Sequence, residues 1–114
     1  MPKTGAYGGE THWQNGAGSA CDHVDADAKV TPAKIVLSWK GASAGSVTLT
    51  PTDPGWWVGR LKTGEPCEFE AFERDDVVVL WGKWGDVGKA LDRAWYVRLE
   101  WLPPDEDDTT NRTD

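Results

Sequence analysis

The sequence predicts an all-β protein, a six-stranded antiparallel meander that forms a small barrel or a two-layer sandwich. Short runs of alternating apolar and polar residues predict strands that bury one face. Turn residues separate these runs at intervals of about 10 residues, which is typical of sandwiches and barrels. Eight tryptophans in 114 residues favour a closed or two-layered arrangement, because a single sheet this aromatic would leave an apolar face in water.

The first three predicted strands are separated by turns rich in glycine and proline. In the first strand, alternation puts Ile35, Leu37 and Trp39 on one face. A glycine-rich turn precedes the second strand. Pro51–Gly55 precedes the third and is a turn by its chemistry, because proline fixes φ and glycine accepts positive φ. We place these strands at residues 34–40, 46–50 and 56–62.

The last three predicted strands differ in how clearly they alternate. Residues 67–74 alternate, whereas residues 77–81 form a continuous apolar run that predicts a strand covered on both faces. Residues 94–101 alternate most cleanly. Between these two strands, the apolar spacing in Gly85–Arg93 predicts one or two helical turns. The predicted core consists of Trp39, Leu49, Val79, Trp95, Val97 and Leu99.

The two ends of the chain have a different composition. Residues 1–28 are rich in Gly, Ala, Ser and Asp without clear periodicity, which predicts an irregular Gly-rich arm. The β-domain is placed at residues 29–102. Two prolines and an acidic run predict a disordered acidic tail over residues 103–114. The chain offers neither an N-terminal apolar signal nor an apolar run of membrane-spanning length, so we expect a cytoplasmic protein with reduced thiols.

The formal net charge of −7 narrows the range of partners. Acidic residues concentrate in the tail, in residues 65–76 and around residues 22–27. Such blocks argue against direct binding to a DNA or RNA backbone, which needs clustered Lys and Arg. They favour a protein partner with a basic surface. The plainer interpretation is that they are solvated faces that keep the protein soluble.

The sequence does not predict a catalytic site of any of three common kinds: a phosphate-binding loop, a pair of glycosidase carboxylates or a serine nucleophile with its histidine. Gly82–Ala90 contains a Gly-Lys pair, but Lys83 stands where a phosphate-binding loop needs its first glycine, and Ala90 removes the required hydroxyl. Glu68 and Glu70 share a strand face as glycosidase carboxylates can, yet alternating acids are far commoner on exposed strands. The serines and histidines show no nucleophile-elbow context. The sequence therefore predicts a protein that is not an enzyme.

The possible metal ligands are two His and two Cys. His12, Cys21 and His23 fall in the predicted arm, and Cys67 begins a later strand. Two imidazoles and two thiolates would satisfy tetrahedral zinc. The spacing lacks the Cys-x-x-Cys or Cys-x-x-His pair of common zinc modules, so incidental polar residues in a loop are the simpler interpretation. We therefore expect no cofactor and keep a zinc-stapled structural protein as one alternative.

Binding is the remaining class of function, and aromatic residues mark its candidate surface. Trp56 and Trp57 are adjacent on a strand, so their side chains point to opposite faces and only one of them can enter a single-faced core. The candidate partner- or ligand-binding residues are Trp56, Trp57, Glu68, Glu70 and Trp84.

Two binding functions are compatible with these residues. The first is an acidic, Trp-rich accessory protein of a phage or mobile element that docks on a basic macromolecular partner, with inhibition of that partner as one outcome. The second is a ligand-binding barrel in which tryptophan stacks on a sugar or nucleotide. The sequence itself does not separate the two.

Overall fold

The computed structural model describes residues 3–14, 21–41, 44–52 and 55–103. Within these ranges the chain forms eight strands and no helix. Each strand is antiparallel to the next along the chain, and the last pairs with the first, which closes a barrel. The strands are β1 (Gly5–Gln14), β2 (Cys21–Val30), β3 (Ile35–Trp39), β4 (Gly45–Pro51), β5 (Trp56–Leu61), β6 (Pro66–Arg74), β7 (Val77–Trp84) and β8 (Arg93–Leu102).

The all-β prediction is confirmed, and the open choice between barrel and sandwich is settled in favour of the barrel. The strand count of six is wrong, because β1 and β2 were assigned to an irregular arm. Alternate residues of every strand point into the barrel, where they fill its interior. The buried apolar residues are Tyr7, Ala26, Ala28, Val30, Ile35, Leu37, Val47, Leu49, Trp57, Cys67, Phe69, Val78, Leu80, Trp95, Val97 and Leu99.

The irregular arm predicted for residues 1–28 is wrong for residues 5–14 and 21–28, which lie in the strands Gly5–Gln14 and Cys21–Val30. Their pattern is hard to recognise because glycines and alanines stand where strands usually carry branched or aromatic residues. Gly9 has a steric reason: a Cβ there would overlap the carbonyl oxygen of Arg98 on β8. Glycine at position 9 therefore permits the close approach of β1 and β8 that closes the barrel.

The apolar run on β7 has one buried face and not two. Val78 and Leu80 are buried, whereas Val77 and Val79 are only partly buried and Trp81 is 55% exposed. The predicted core position of Val79 is therefore wrong, because a continuous apolar run does not reveal which residues point inward. Trp39 packs against the core without being fully buried. Burial of Leu49, Trp95, Val97 and Leu99 is confirmed.

The helical turns predicted between β7 and β8 are absent. Residues 85–92 form an irregular loop with a turn at residues 87–88. An ion pair holds this loop: the Arg93 guanidinium donates to both Asp86 carboxylate oxygens at 3.0 and 3.1 Å. The same guanidinium lies 4.7 Å from the ring centroid of Trp84. This arrangement lowers the pKa of Asp86, first through the hydrogen bonds from Arg93 and then through its charge.

The centre of the core is Trp95. Its ring makes edge contacts with Phe69 at 5.0 Å, Trp39 at 5.6 Å and Trp84 at 6.5 Å between centroids. Its Nε1–H donates to the hydroxyl of Thr11 at 2.6 Å, and both residues are buried. The Trp95 side chain therefore ties β8 to β1 and packs against β3, β6 and β7.

Lys3, which precedes β1, contacts residues at the end of the barrel where β1 begins. The Lys3 ammonium lies 2.6 Å from an Asp76 carboxylate oxygen and 3.7 Å from the ring centroid of Trp101. Tyr7 donates from its hydroxyl to the Lys3 carbonyl at 2.7 Å. Lys3 thus links the start of β1 to the β6–β7 turn and to β8.

The predicted disordered tail lies, apart from Pro103, outside the described residues. No helix long and apolar enough to cross a membrane occurs among the residues that are described.

Two substitutions test the importance of Trp95. Trp95→Ala should lower the free energy of unfolding by about 3–5 kcal/mol, because it leaves a cavity at the centre of the core. Thr11→Val should cost about 1–3 kcal/mol, because the indole N–H then stays buried without an acceptor. Urea unfolding measures both effects. Thr48→Val, the same change at an exposed position on β4, is the matched control. Equal effects at Thr11 and Thr48 would contradict the role of the hydrogen bond.

The ion pair between Asp86 and Arg93 predicts a pH dependence. The pKa of Asp86 is lower in the folded than in the unfolded protein, so the Asp86 carboxylate stabilises the folded state. This stabilisation is fully present above the unfolded aspartate pKa of about 3.9 and is lost as the pH falls through the folded pKa. We expect Asp86→Asn to melt below the parent at neutral pH, with the gap closing in acid. Melting temperatures measured across this range check it. A gap that stays constant into strong acid would contradict the role of the carboxylate charge.

Candidate functional site

The outer surface of the barrel carries a row of aromatic and charged side chains at one level. Cross-strand register puts one residue from each of six neighbouring strands into this row. Neighbouring strands lie about 4.8 Å apart, so the row is roughly 24 Å long. We call it the outer stripe, and its residues are, from β5 to β2, Trp56, Glu70, Trp81, Tyr96, His12 and His23.

Ring contacts connect most of the outer stripe. Trp81 and Tyr96 meet edge to face at 5.7 Å between centroids, and Tyr96 meets His12 at 5.6 Å. His12 and His23 are stacked at 5.1 Å with an interplanar angle of 17°. Four strands therefore present continuous ring surface toward solvent. A large exposed apolar patch is more informative than scattered apolar residues, because it often marks an interaction site.

A groove lies at the β5–β7 end of the stripe. It has a volume of about 350 Å³ and is lined by Trp56, Glu68, Glu70, Trp81, Gly82 and Lys83. Glu70 on β6 is in register with Trp56 on one side and with Trp81 on the other. The groove therefore has an indole on each side and carboxylates from the strand between them.

Glu68 also borders two neighbouring depressions. One, of about 190 Å³, is lined by Thr52, Trp56, Val58 and Glu68. The other, of about 380 Å³, includes Thr48, Thr50, Arg60, Glu68 and Leu91. The outer face of β4 to β7 is thus uneven, and the Glu68 carboxylate stands where its depressions meet.

The two adjacent tryptophans of β5 are divided between the faces of the sheet. Trp56 is on the outer face and lines the groove. Trp57 is 2% exposed and fills the core, so it is not available to a partner. Trp84 is also held in the barrel, where its Nε1–H donates to the Gln14 carbonyl at 3.0 Å and Arg93 covers its ring. The candidate surface therefore keeps Trp56, Glu68 and Glu70.

The four possible zinc ligands do not converge. Cys67 is buried on the inner face of β6, whereas His12 and His23 lie on the outer faces of β1 and β2. The side chain of Cys21 lies outside the described residues. Because the sheet separates Cys67 from the imidazoles, Cys67 does not share a site with His12 and His23. Among the described side chains, no group of three or more His, Cys, Asp or Glu could hold a metal ion.

Trp81 and Tyr96 were not predicted to be surface residues. Trp81 ends an apolar run whose inward phase was ambiguous. Tyr96 had a usable signal, since it shares the outward phase of Arg98 and Glu100 on β8. An aromatic residue that alternates in phase with charged residues lies on the outward face of its strand.

Burial makes Cys67 a poor nucleophile. Desolvation is the main cause that raises its pKa, to about 12, so the thiol stays protonated at neutral pH. In a Cys21→Ala background, we expect a thiol reagent at pH 8 to label Cys67 only after unfolding in urea. Rapid labelling of the folded protein would contradict this burial.

No known protein-family model matches the chain, and no curated protein matches it in sequence. The outer stripe and its groove are therefore the basis on which a function is assigned.

Proposed function

We propose that this is a non-catalytic binding protein whose outer face engages a basic segment of a macromolecular partner. The observation that carries the proposal is the position of Glu70, which lies in cross-strand register between Trp56 and Trp81. Such a protein acts by occupying a basic surface, as an accessory protein or an inhibitor does.

The spacing of the two indoles suits a cationic side chain. Trp56 and Trp81 are two strands apart, so about 10 Å separates their strands and leaves room for a flat group between the rings. A guanidinium there would meet aromatic rings and the Glu70 carboxylate. Cation–π contact and charge-assisted hydrogen bonding both favour arginine at such a position.

The charges around the groove are also complementary to a basic partner. Glu68 and Glu70 contribute two carboxylates to its lining, against the single ammonium of Lys83. The net charge of −7 acts over a longer range. It attracts a cationic partner and speeds association, particularly at low salt.

The partly exposed indoles supply binding energy that charge alone does not. Trp81 is 55% exposed, so a partner that covers it removes a large apolar area from water. Tryptophan and arginine are the residues most enriched where binding energy concentrates at interfaces. A groove with two indoles and two carboxylates is therefore suited to capture one arginine and its flanking backbone.

The position of the aromatic residues also weighs against the ligand-barrel alternative. Trp57, Phe69 and Trp95 point inward and are buried by the packed core, where they leave little surface for a ligand to stack on. The depressions around Trp56 and Glu68 lie on the outer face. A stacked sugar or nucleotide would therefore have to bind outside the barrel, on the same surface.

A labelled tri-arginine peptide tests the groove by fluorescence anisotropy. Trp56→Ala and Trp81→Ala should each weaken binding by about 1–2 kcal/mol, roughly tenfold, because each removes one wall of the groove. Glu70→Lys should weaken it at low salt, with a smaller effect at high salt. Melting curves confirm that the variants are folded.

Two matched controls accompany these variants. Asp27→Lys makes the same charge change on the outer face of β2, away from the groove, and Leu102→Ala removes another exposed apolar side chain. Both should bind the peptide nearly as the parent does. If the groove variants bind as tightly as the parent at low salt, the groove is not the binding site. If a sugar or nucleotide shifts tryptophan fluorescence and the peptide does not, the ligand alternative replaces the proposal.

A further inference from the structure

We propose that the binding surface continues from the groove along the whole outer stripe, so that it takes an extended basic segment with two separated cations. This inference rests on the proposed function and deepens it, because it specifies the shape and charge spacing of the partner's segment.

The closed barrel determines how an extended chain can bind. β1 pairs with both β2 and β8, so each of the eight described strands pairs with a neighbour on both sides along much of its length. Stretches with no ladder partner on one side, such as Asp22–Asp25 of β2 and Phe72–Arg74 of β6, are short, so an extended peptide gains few backbone hydrogen bonds by joining the sheet as an additional strand. Its main contacts are therefore with side chains of the outer face, and the outer stripe is the continuous ring surface that crosses the strands.

The length of the stripe sets the length of the segment. Six strands at about 4.8 Å spacing give roughly 24 Å, which an extended chain covers with about seven residues. Contacts from Trp81 through Tyr96 to His12 and His23 leave ring faces along most of this path. A single arginine in the groove would use only one end of it.

Carboxylates occur at both ends of the stripe. The first end has Glu68 and Glu70. At the other end, Glu10 and Asp25 lie directly opposite each other on β1 and β2, next to the two histidines, and the Glu10 carboxylate is 3.4 Å from His12 Nε2. Like charges in direct cross-strand register disfavour each other, so a cation between them relieves a repulsion.

The cations near the stripe leave this pattern largely intact. Arg98 is in register with Glu10, but its guanidinium lies 3.6 Å from Glu100, one row further from Tyr96. Lys83 is in register with Glu68, in the row on the other side of the stripe from Glu10 and Arg98. The middle of the stripe is thus formed by the uncharged rings of Trp81 and Tyr96.

These positions predict the spacing of the partner's two cations. Glu70 is three strands from Glu10 and four from Asp25, which corresponds to about 14–19 Å. In an extended peptide this is a separation of about five residues. The segment would place one arginine in the groove, pass over Trp81 and Tyr96, and place a second basic residue beside Glu10 and Asp25.

Two labelled peptides of identical composition test the spacing on the parent protein. One has arginines at both ends of a Gly-Ser spacer, as in Arg-Gly-Ser-Gly-Ser-Arg, and the other has both arginines adjacent at one end. Net charge and length are equal, so general attraction to an acidic protein is the same. The spaced peptide should bind about tenfold more tightly, because its second contact is intramolecular.

Variants at the far end of the stripe identify the second contact. Glu10→Gln with Asp25→Asn, and separately Tyr96→Ala, should remove the advantage of the spaced peptide while leaving the adjacent-arginine peptide nearly unchanged. The double amide variant keeps side-chain size, so it remains informative if Tyr96→Ala does not fold. Asp27→Asn is the matched control on β2.

The outcomes separate the two proposals. Equal affinity of the two peptides, or a spacing advantage that survives the far-end variants, would overturn the extended surface while leaving the groove in place. Loss of binding to both peptides in Glu70→Lys and Trp81→Ala supports the groove, and no loss would overturn it. Displacement of the spaced peptide by a neutral oligosaccharide such as cellohexaose would overturn the basic segment as occupant of the stripe.

Discussion

The pairing of β1 with β8 is the constraint on which the rest of the structure depends, because it turns a meander into a closed barrel. Trp95 lies at this seam. Its indole N–H donates to Thr11 across the two strands, and its ring packs against Trp39, Phe69 and Trp84. A buried indole stabilises a core fully only when its N–H has an acceptor. Closure also pairs most of the length of the described strands on both sides, so the outward side chains are the main surface through which this barrel can recognise a partner.

The strands that could be predicted are those whose inward residues are large. On β8, the inward residues Val97 and Leu99 alternate with the charged Arg98 and Glu100 and therefore have a visible phase. On β3, the larger Ile35, Leu37 and Trp39 alternate with Val36 and Ser38. β2 could not be predicted in the same way, since the small residues Ala26 and Ala28 occupy inward positions. On β1, Gly8 and Gly9 interrupt the alternation between the inward residues Tyr7 and Thr11. Small residues balance the volume of the aromatic core, because the interior of a narrow barrel has to be filled without overpacking. The same tryptophans that indicated a β-core thus explain why β2 was not recognised as a strand.

The candidate site was only partly predictable, for a different reason. Alternation requires Trp56 and Trp57 to face opposite sides, but it does not tell which of them is outside. Glu68 and Glu70 were correctly paired on one face because they are two residues apart on one strand. The remainder of the outer stripe depends on register between strands that are distant in sequence, above all between His12 on β1 and Tyr96 on β8. Nothing local in the chain encodes that register, which follows from closure.

The core and the outer stripe are formed by neighbouring residues on the same strands, whose side chains point to opposite faces. Phe69, Gly82, Trp95 and Trp13 form a row in register on the inner face, and each is the chain neighbour of a stripe residue, respectively Glu70, Trp81, Tyr96 and His12. Gly82 lies between Phe69 and Trp95, and a Cβ at this position would overlap the Glu68 carbonyl oxygen. Packing on the inside therefore fixes the positions from which the outer rings project. A surface fixed in this way loses less conformational freedom on binding than one carried by loops, so more of its contact energy is available as affinity.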